Sequence, residues 1–303
     1  MQDRSHLLTE QRLVDSMGLD EMSIDEAIVL MNFQDRQACE AVASQRQNLA
    51  RAVEIVSERL RQGGRLIYVG AGTSGRLGVL DAAECPPTFR SDPQMVQGII
   101  AGGEAAMFRS QEGAEDRAED GAAAIDGKEA GPRDVVVGIA AGGTTPFVHG
   151  ALRRAVESGA ATIFLTCVQP TDAEPKVDLV IRPLVGPEIL TGSTRLKAGT
   201  ATKLVLNTIT TLAMVQLGKV YQNLMVDLRA TNQKLWDRGA RIVATLTGLT
   251  REPALDLLKR ADGHVKTAIV MHELQVDRAV AAELLEKAGG KLRDALKTGH
   301  PGT

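Results

Sequence analysis

Hydroxyl side chains follow two apolar runs of the chain, each inside a glycine-rich turn. Such turns let the backbone approach a ligand closely, and the exposed N–H groups of the helix that follows favour an anion. Hydroxyls add hydrogen-bond donors that suit the oxygens of a phosphate monoester. The residues concerned are Thr73 and Ser74 in the turn 70–75, and Gly142, Gly143, Thr144 and Thr145 in the turn 140–145. Together, these two glycine turns predict a sugar-phosphate site.

The first of these turns also has the spelling Gly-x-Gly-x-x-Gly, at Gly70, Gly72 and Gly75, which is typical of dinucleotide-binding folds. A dinucleotide site needs an acidic residue near the end of the next strand to bind the ribose. The next apolar run, residues 96–100, is followed by Ala-Gly-Gly, and Glu104 comes only after that turn. The sequence therefore favours a sugar phosphate over a dinucleotide.

Two groups of carboxylates are candidates for acid–base chemistry. Pro86 and Pro87 are expected to end the helix that begins near Ser74, which leaves Glu84 in its last turn. There the helix dipole disfavours a carboxylate, so Glu84 is either a solvated helix-end residue or a proton donor. The second group lies in a predicted helix over 104–126, and the residues alone do not select one acid among Glu112, Glu115 and Asp116.

Ser193 and Thr194 precede a predicted helix over 196–218. They fit a capping role, and beside Arg195 and Lys197 they also fit contact with an anionic ligand. His149 is predicted to be a helix-surface or core residue rather than a base. The five histidines are scattered and the three cysteines have no metal-type spacing, so we expect neither a metal nor another cofactor.

The bulk composition excludes several classes of protein. The formal net charge of −3 and the pI near 6.0 give no reason to expect nucleic acid or an anionic membrane as a partner. No apolar run approaches the roughly 20 residues of a membrane span. The first residues lack the layout of a secretory signal, and the cysteines are odd in number, so the sequence predicts a cytoplasmic protein.

Apolar runs alternate with helical patterns along most of the chain. Strands are predicted at 65–69, 96–101, 134–140, 162–167 and 177–183, with helices over 38–62, 104–126, 146–158, 196–218 and 220–247. This alternation indicates an α/β fold, a three-layer α/β/α sandwich around a parallel sheet of five strands, with ligands at the carboxyl ends of the strands.

A weak internal repeat marks the end of the chain, over 250–303. Leu257, Leu258 and Gly263 recur as Leu284, Leu285 and Gly290. Each copy has the pattern of two helices around a glycine turn, which predicts a small helical module. The predicted domains are 1–54, helical; 55–236, sugar-phosphate binding; and 237–303, helical.

Several longer motifs make the chain similar to one known family. They are Glu84-Cys85-Pro86-Pro87-Thr88, Gly186-Pro187-Glu188, the run 191–200, the run 218–227 and Thr9-Glu10-Gln11-Arg12. They resemble the N-acetylmuramic acid 6-phosphate etherases. The resemblance implies a sugar isomerase (SIS) fold of flavodoxin-like order and a cytoplasmic homodimer with a shared active site. It also implies cleavage of the substrate's lactyl ether to N-acetylglucosamine 6-phosphate and D-lactate, in the recycling of cell-wall sugars.

The resemblance assigns Glu84 as the proton donor and Glu115 as the second acid–base residue. The family usually carries Ala-Ser-Gly-Arg-Thr-Pro where this chain has Gly142 and Thr144 in place of the serine and the arginine. Weaker phosphate binding is the expected consequence. The chief alternative is a regulatory protein that binds phosphosugars without turning them over, like the glucokinase regulatory protein. An aldose–ketose isomerase of the same fold is disfavoured by the motif that begins at Glu84.

Overall fold

The computed structural model describes residues 7–228, 230 and 232–298. Residues 1–6, where the sequence lacks a secretory signal, lie outside this part. The chain divides into two compact units, the first formed by residues 1–83 and 93–210 and the second by residues 84–92 and 211–303. Within the described residues, no helix is both long and apolar enough to cross a lipid bilayer.

A parallel sheet of five strands forms the centre of the first unit. Its strands are β1 (Leu66–Gly70), β2 (Val96–Ile100), β3 (Val135–Ile139), β4 (Ala161–Leu165) and β5 (Leu179–Ile181). They lie in the order β2-β1-β3-β4-β5, and every neighbouring pair is parallel. This is the flavodoxin-like order, in which ligands bind where the connections of two adjacent strands diverge, here β1 and β3. The predicted parallel sheet is confirmed, and both glycine turns follow the strands at this point.

Helices cover both faces of the sheet and complete the predicted sandwich. They are α1 (Ile24–Ser44), α2 (Arg46–Arg61), α3 (Gly72–Phe89), α4 (Ala105–Phe108), α5 (Ala118–Asp126), α6 (Pro146–Glu157) and α7 (Lys197–Gln216). On one face, α6 packs its apolar side on alternate strand residues such as Val136 and Phe164. On the other face, the Tyr68 hydroxyl donates to Asp81 of α3 over 2.9 Å. Because both faces are covered, β1, β3 and β4 are buried along their whole length.

Two predicted helices of the first unit have different bounds in the structure. The predicted helix 38–62 is two helices, α1 and α2, with a break at Gln45. Ser23 and Glu26 form a capping box that starts α1, a signal present in the sequence as Ser-x-x-Glu. The predicted helix 104–126 is interrupted by a left-handed Gly113 and a 3₁₀ turn, Ala114–Asp116. Glu115 therefore lies on a short turn and not in a long helix.

The prediction that Pro86 and Pro87 end the helix is wrong. Helix α3 continues through both prolines to Phe89, and the Arg90 N–H donates to the Pro86 carbonyl over 2.9 Å. Proline's fixed φ is itself helical, so the two rings remove hydrogen bonds near the end of the helix without forcing the chain out of it. Glu84 is therefore not in the last turn, and the helix-end argument for its acidity does not apply.

Five helices form most of the second unit. They are α8 (Gln233–Thr247), α9 (Arg251–Arg260), α10 (Val265–Glu273), α11 (Arg278–Lys287) and α12 (Leu292–Thr298). The predicted helix 220–247 begins only at Gln233, capped by Asn232, and Tyr221 and Leu224 pair in a turn before it. The predicted internal repeat is confirmed, because α9 and α10 form one pair of helices around a glycine turn and α11 and α12 form a second.

Candidate active site

The first glycine turn brings the start of α3 against the ends of two strands. A Cβ atom on Gly70 would lie 2.7 Å from the Gly75 nitrogen, and one on Gly75 would lie 2.6 Å from Cγ1 of Ile100. Only glycine permits such close contact between the turn, the start of α3 and the strand ends. Packing alone therefore explains these two glycines of the Gly-x-Gly-x-x-Gly motif. Thr73 and Ser74 lie half-buried in the first turn of α3, where N–H groups and the helix dipole favour an anion.

The second glycine turn leads into α6 in a similar way. The Gly143 N–H donates to the Ala140 carbonyl over 2.9 Å and closes the turn. Thr145 is the N-cap residue of α6 and Pro146 its first residue, and the Thr145 side chain makes no capping hydrogen bond within the described chain. Within the described chain, the Thr145 hydroxyl therefore does not cap the first N–H groups of α6. Gly142 and Thr144 of this turn are half-buried.

His149 fixes the second glycine turn from within α6. Its Nε2 atom lies 2.8 Å from the Gly143 carbonyl oxygen, and its ring meets Phe164 edge-on, with centroids 5.9 Å apart. Burial lowers the pKa of His149, which keeps the imidazole neutral. The structure thus gives His149 a positioning role that the sequence did not show.

A buried carboxylate holds the start of α7. Glu188 is fully buried, and its two oxygens accept hydrogen bonds from the backbone N–H groups of Lys197 and Ala198, over 2.9 and 3.0 Å. This is the capping role that the sequence offered to Ser193 or Thr194, and Glu188 fills it from outside the helix. The sequence did not assign that role to Glu188, because its distance from the helix start is too long for a local capping pattern.

The first turns of α3 and α7 lie side by side. A Cβ atom on Gly199 would lie 3.6 Å from Cγ2 of Thr73 and 3.5 Å from the Thr194 carbonyl oxygen. The hydroxyl-bearing segment at Ser193 and Thr194 is therefore a neighbour of the first glycine turn. The structure brings together two of the segments that the sequence proposed for ligand contact.

Glu115 lines a cavity with the beginning of α3. The cavity has a volume of about 250 Å³ and is lined by residues 71, 72, 76, 101, 106 and 110–115. Both Glu112 and Glu115 line it, whereas Asp116, next along the 3₁₀ turn, does not. Arg76 also lines it, with Nε donating to the Met107 carbonyl over 3.1 Å. Arg76 adds a positive charge that sequence reasoning missed, although it directly follows the first glycine turn.

Glu84 belongs to the second compact unit, where it is exposed on α3 beside the buried Cys85. Within the described residues, the structure shows no hydrogen bond or ion pair of the Glu84 side chain. Its role as proton donor therefore stays a prediction that rests on the resemblance.

Comparison with known proteins gives matches to both units. Residues 48–156 match the family model of the glucokinase regulatory protein N-terminal SIS domain, and residues 222–283 match the C-terminal lid domain of glucokinase regulatory protein. The solved structure of the c3406 protein of E. coli CFT073 is 16% identical with a TM-score of 0.47, covering 67% of this chain and 97% of that one.

Curated relatives match along nearly the whole chain. An N-acetylmuramic acid 6-phosphate etherase of Crocosphaera subtropica is 55% identical over 300 residues, which are 99% of this chain and 98% of that one. A protein of the same name from Gloeothece citriformis is 56% identical over 298 residues, 98% and 97% of the two chains. The similarity thus extends through both compact units.

Proposed function

This chain belongs to the N-acetylmuramic acid 6-phosphate etherase family, and we propose that it cleaves the D-lactyl ether of N-acetylmuramic acid 6-phosphate. The products are N-acetylglucosamine 6-phosphate and D-lactate, and the reaction serves the recycling of cell-wall sugars. The observation that carries this proposal is the identity of 55% and 56% to etherases over nearly the full chain. It favours the enzyme over the regulatory protein, whose family models each match one part of the chain.

The two glycine turns are the proposed phosphate site. Thr73 and Ser74 offer hydroxyls at the start of α3, and Thr144 and Thr145 offer them at the start of α6. Two helix N-termini at the carboxyl edge of the sheet favour a dianion there. Gly142 and Gly143 contribute close backbone approach, while Ser193 and Thr194 are the proposed contacts on a third side, since their segment adjoins Thr73.

The chemistry requires two carboxyl groups with opposite tasks. In the open-chain sugar, the aldehyde acidifies the proton on C2, and a carboxylate, Glu115, removes it. As the C2–C3 double bond forms, the C3–O bond breaks, and a carboxylic acid, Glu84, protonates the departing lactate oxygen. Water then adds to C3: Glu84, now ionised, takes a proton from the water, and Glu115 returns its proton to C2. One water is consumed and both carboxyl groups regain their initial protonation.

The position of Glu115 supports its part in this scheme. Its cavity, of about 250 Å³, also exposes Gly72 of the first glycine turn. A sugar whose phosphate binds at Thr73 and Ser74 can therefore extend toward Glu115. Arg76 in the same cavity supplies a cation close to a substrate that carries both a phosphate and a carboxylate. Asp116 lacks this access, which separates it from its neighbour Glu115.

The exposed apolar face of α1 supports a homodimer. Ile24, Ile28 and Met31 are 81%, 51% and 42% exposed. Ile24, Ile28 and Met31 follow the spacing of one helix face. Water-exposed apolar patches of this kind mark protein interfaces. We therefore propose that α1 of two chains pack together, in a dimer whose active sites take residues from both subunits.

The state of the cysteines supports a cytoplasmic setting. Cys39 and Cys167 are both free thiols in the structure. Free thiols are the usual state in a reducing compartment. The proposed location is therefore the cytoplasm, as the resemblance implies.

The test of the reaction is release of D-lactate from N-acetylmuramic acid 6-phosphate by the purified protein. We expect release by the wild type, a loss of at least about 100-fold in Glu84→Gln and Glu115→Gln, and unchanged rates in Asp116→Asn. Asp116 is a matched control because it is exposed on the same 3₁₀ turn as Glu115. No lactate from the wild type, with N-acetylglucosamine 6-phosphate still bound, would instead support the regulatory alternative.

Mixing the two inactive variants tests the shared site. If Glu84 and Glu115 of one site come from different subunits, a mixed dimer of Glu84→Gln and Glu115→Gln contains one intact site, and activity returns on subunit exchange. If both come from one chain, every site in the mixture lacks one carboxylate and activity stays absent. Light scattering of Ile28→Lys, whose changed residue lies on the exposed face of α1 formed by Ile24, Ile28 and Met31, tests whether that face forms the dimer.

A further inference from the structure

The N-terminal 3₁₀ turn, Leu8–Glu10, lies against two of the segments proposed to bind substrate. The Gly192 N–H donates to the Thr9 carbonyl over 3.0 Å, just before Ser193 and Thr194. Thr9 itself is fully buried, with no part of the residue exposed. The turn is thus attached to the segment that leads into α7, and its central side chain points inward.

The Thr9 hydroxyl points at the second glycine turn. Its Oγ1 atom lies 3.7 Å from the position that a Cβ atom on Gly142 would take, and among the described residues no other atom, chain neighbours apart, lies within 4 Å of that position. Oγ1 is also buried without a hydrogen-bond partner in the described part of the chain. A buried hydroxyl in that state is costly, so its retention calls for a partner that the described residues do not supply.

The Thr9 hydroxyl faces the side of the turn on which Gly142 carries no side chain. Because Gly142 has no side chain, no Cβ atom stands between the Thr9 hydroxyl and a ligand oxygen that binds against this turn. The acidic side of the turn faces elsewhere: Oε2 of Glu10 lies 3.3 Å from the Cβ position of Gly192. An anion is therefore favoured at Gly142 and disfavoured at Gly192.

We propose that Thr9 is a substrate-binding residue whose hydroxyl donates a hydrogen bond to a phosphate oxygen of the sugar phosphate at Gly142. The assignment rests on the proposed function, since it places the phosphate at the glycine turns. It explains how a turn without a hydroxyl at position 142 keeps a hydroxyl donor there: the donor comes from the N-terminal segment. It also gives the segment at Thr9 a part in the site.

The isosteric variant Thr9→Val tests the assignment. If Thr9 only packs, removing an unpartnered buried hydroxyl leaves KM unchanged and the melting temperature equal or higher. If the hydroxyl binds phosphate, KM for N-acetylmuramic acid 6-phosphate rises about 10-fold to 100-fold, as expected for a lost hydrogen bond to a charged group. We expect kcat to change less than threefold, the melting temperature of the free protein not to fall, and Thr9→Ser to retain wild-type KM.

Binding measurements keep this test separate from the proposed reaction. Calorimetry with N-acetylglucosamine 6-phosphate and with inorganic phosphate is expected to show the same loss of affinity in Thr9→Val. If the wild type releases no lactate, the proposed reaction fails, but these two affinities still decide the role of Thr9. Unchanged affinity for both probes would overturn the assignment. Should Thr9→Val fail to fold, Thr9→Ala removes the same hydroxyl and its affinities are judged in the same way.

A second substitution restores the donor from the other side. Gly142 has an ordinary negative φ, and among the described residues its Cβ position meets only Thr9, at 3.7 Å, so a serine fits there. The double variant Thr9→Val/Gly142→Ser is expected to recover at least half of the lost binding free energy for inorganic phosphate. A double variant no better than Thr9→Val alone would show that the hydroxyl at this place does not contact the phosphate.

Discussion

The Nε2 atom of His149 lies 2.8 Å from the carbonyl oxygen of Gly143, so a half-buried side chain of α6 holds the second glycine turn in place. A carbonyl only accepts hydrogen bonds, so Nε2 carries the proton and donates it. The ring needs no positive charge for this contact. Burial lowers the pKa of His149 below the ordinary value near 6.5, so the folded protein keeps the donor in its neutral form.

This relationship predicts a loss of stability on acidification. An unfolded chain takes up a proton at His149 near pH 6.5, whereas the folded chain does so only at lower pH. The contribution of His149 is therefore complete above pH 6.5 and declines as the pH falls through the range below it. Relative to His149→Gln, which keeps a donor but does not titrate, the wild type is expected to lose melting temperature between pH 7.5 and 5.5. An equal change in both proteins would contradict the prediction.

The same contact predicts an effect on substrate binding at neutral pH. His149→Phe retains an aromatic ring against Phe164 but removes the donor to Gly143. We expect KM for the sugar phosphate to rise severalfold, because the turn that carries Thr144 and Thr145 is less well fixed. In His149→Gln the amide replaces the donor, so KM is expected to stay within about twofold. Steady-state kinetics of D-lactate release separates the two variants.

Much of the first unit could be predicted from the sequence, because its strands are short apolar runs separated by helical patterns. Buried parallel strands have this appearance, and their order then places both glycine turns at one edge. The prediction that Pro86 and Pro87 end the helix is wrong because proline indicates a helix end only statistically, and α3 contains two prolines near its terminus. The prediction of one helix over 104–126 is wrong because the charge pattern is helical, whereas Gly113 adopts a left-handed conformation that interrupts the helix.

The side-chain contacts that support the candidate site could not be predicted in the same way. Glu188 caps α7 across a loop, and Thr9 reaches Gly142 from the far end of the chain. Such contacts depend on tertiary packing, and no local pattern in the sequence records them. The roles of Glu84 and Glu115 came from the resemblance, since the charges around each residue are typical of a solvated surface.

Glu188 provides a prediction about the start of α7. Glu188→Ala removes the acceptor for two buried N–H groups, those of Lys197 and Ala198, so the free energy of unfolding should fall by about 1–3 kcal/mol. KM should rise as well, because Ser193 and Thr194 directly precede the released helix start. Urea unfolding gives the first quantity and lactate kinetics the second.

A matched control for Glu188 is Glu157→Ala. Glu157 forms an exposed ion pair with Arg154 over 3.2 Å, a kind of contact that contributes little. We expect it to change the free energy of unfolding by less than about 0.5 kcal/mol. Equal losses in the two variants would show that the cap at Glu188 contributes no more to the free energy of unfolding than an exposed ion pair does.

The hydrogen bonds of the Asp81 carboxylate provide a prediction about stability, because they attach α3 to its neighbours in the first unit. It accepts hydrogen bonds from Tyr68, Asn207 and Thr210 over 2.9, 2.7 and 3.2 Å. In Asp81→Asn one oxygen becomes an NH₂ group, which cannot accept from any of these donors. At least one buried donor is left unsatisfied, so we expect a loss of about 1–3 kcal/mol in the free energy of unfolding. Urea titration measures it, and stability equal to the wild type would contradict the role of this network.

The internal repeat of the second unit supplies two equivalent glycines for comparison. Gly263 and Gly290 follow α9 and α11 with φ of 74° and 75°, so alanine at either carries the same left-handed strain, about 1–2 kcal/mol. Their surroundings differ: a Cβ atom on Gly263 would lie 3.0 Å from the Ala230 carbonyl oxygen, whereas one on Gly290 would have the Lys266 ammonium nitrogen as its neighbour, at 3.9 Å. We therefore expect Gly263→Ala to lose more free energy of unfolding than Gly290→Ala.

Trp236, the single tryptophan, packs against the core of this unit, so its fluorescence during urea unfolding measures both losses. Equal losses would mean that the backbone at Ala230 moves aside without cost.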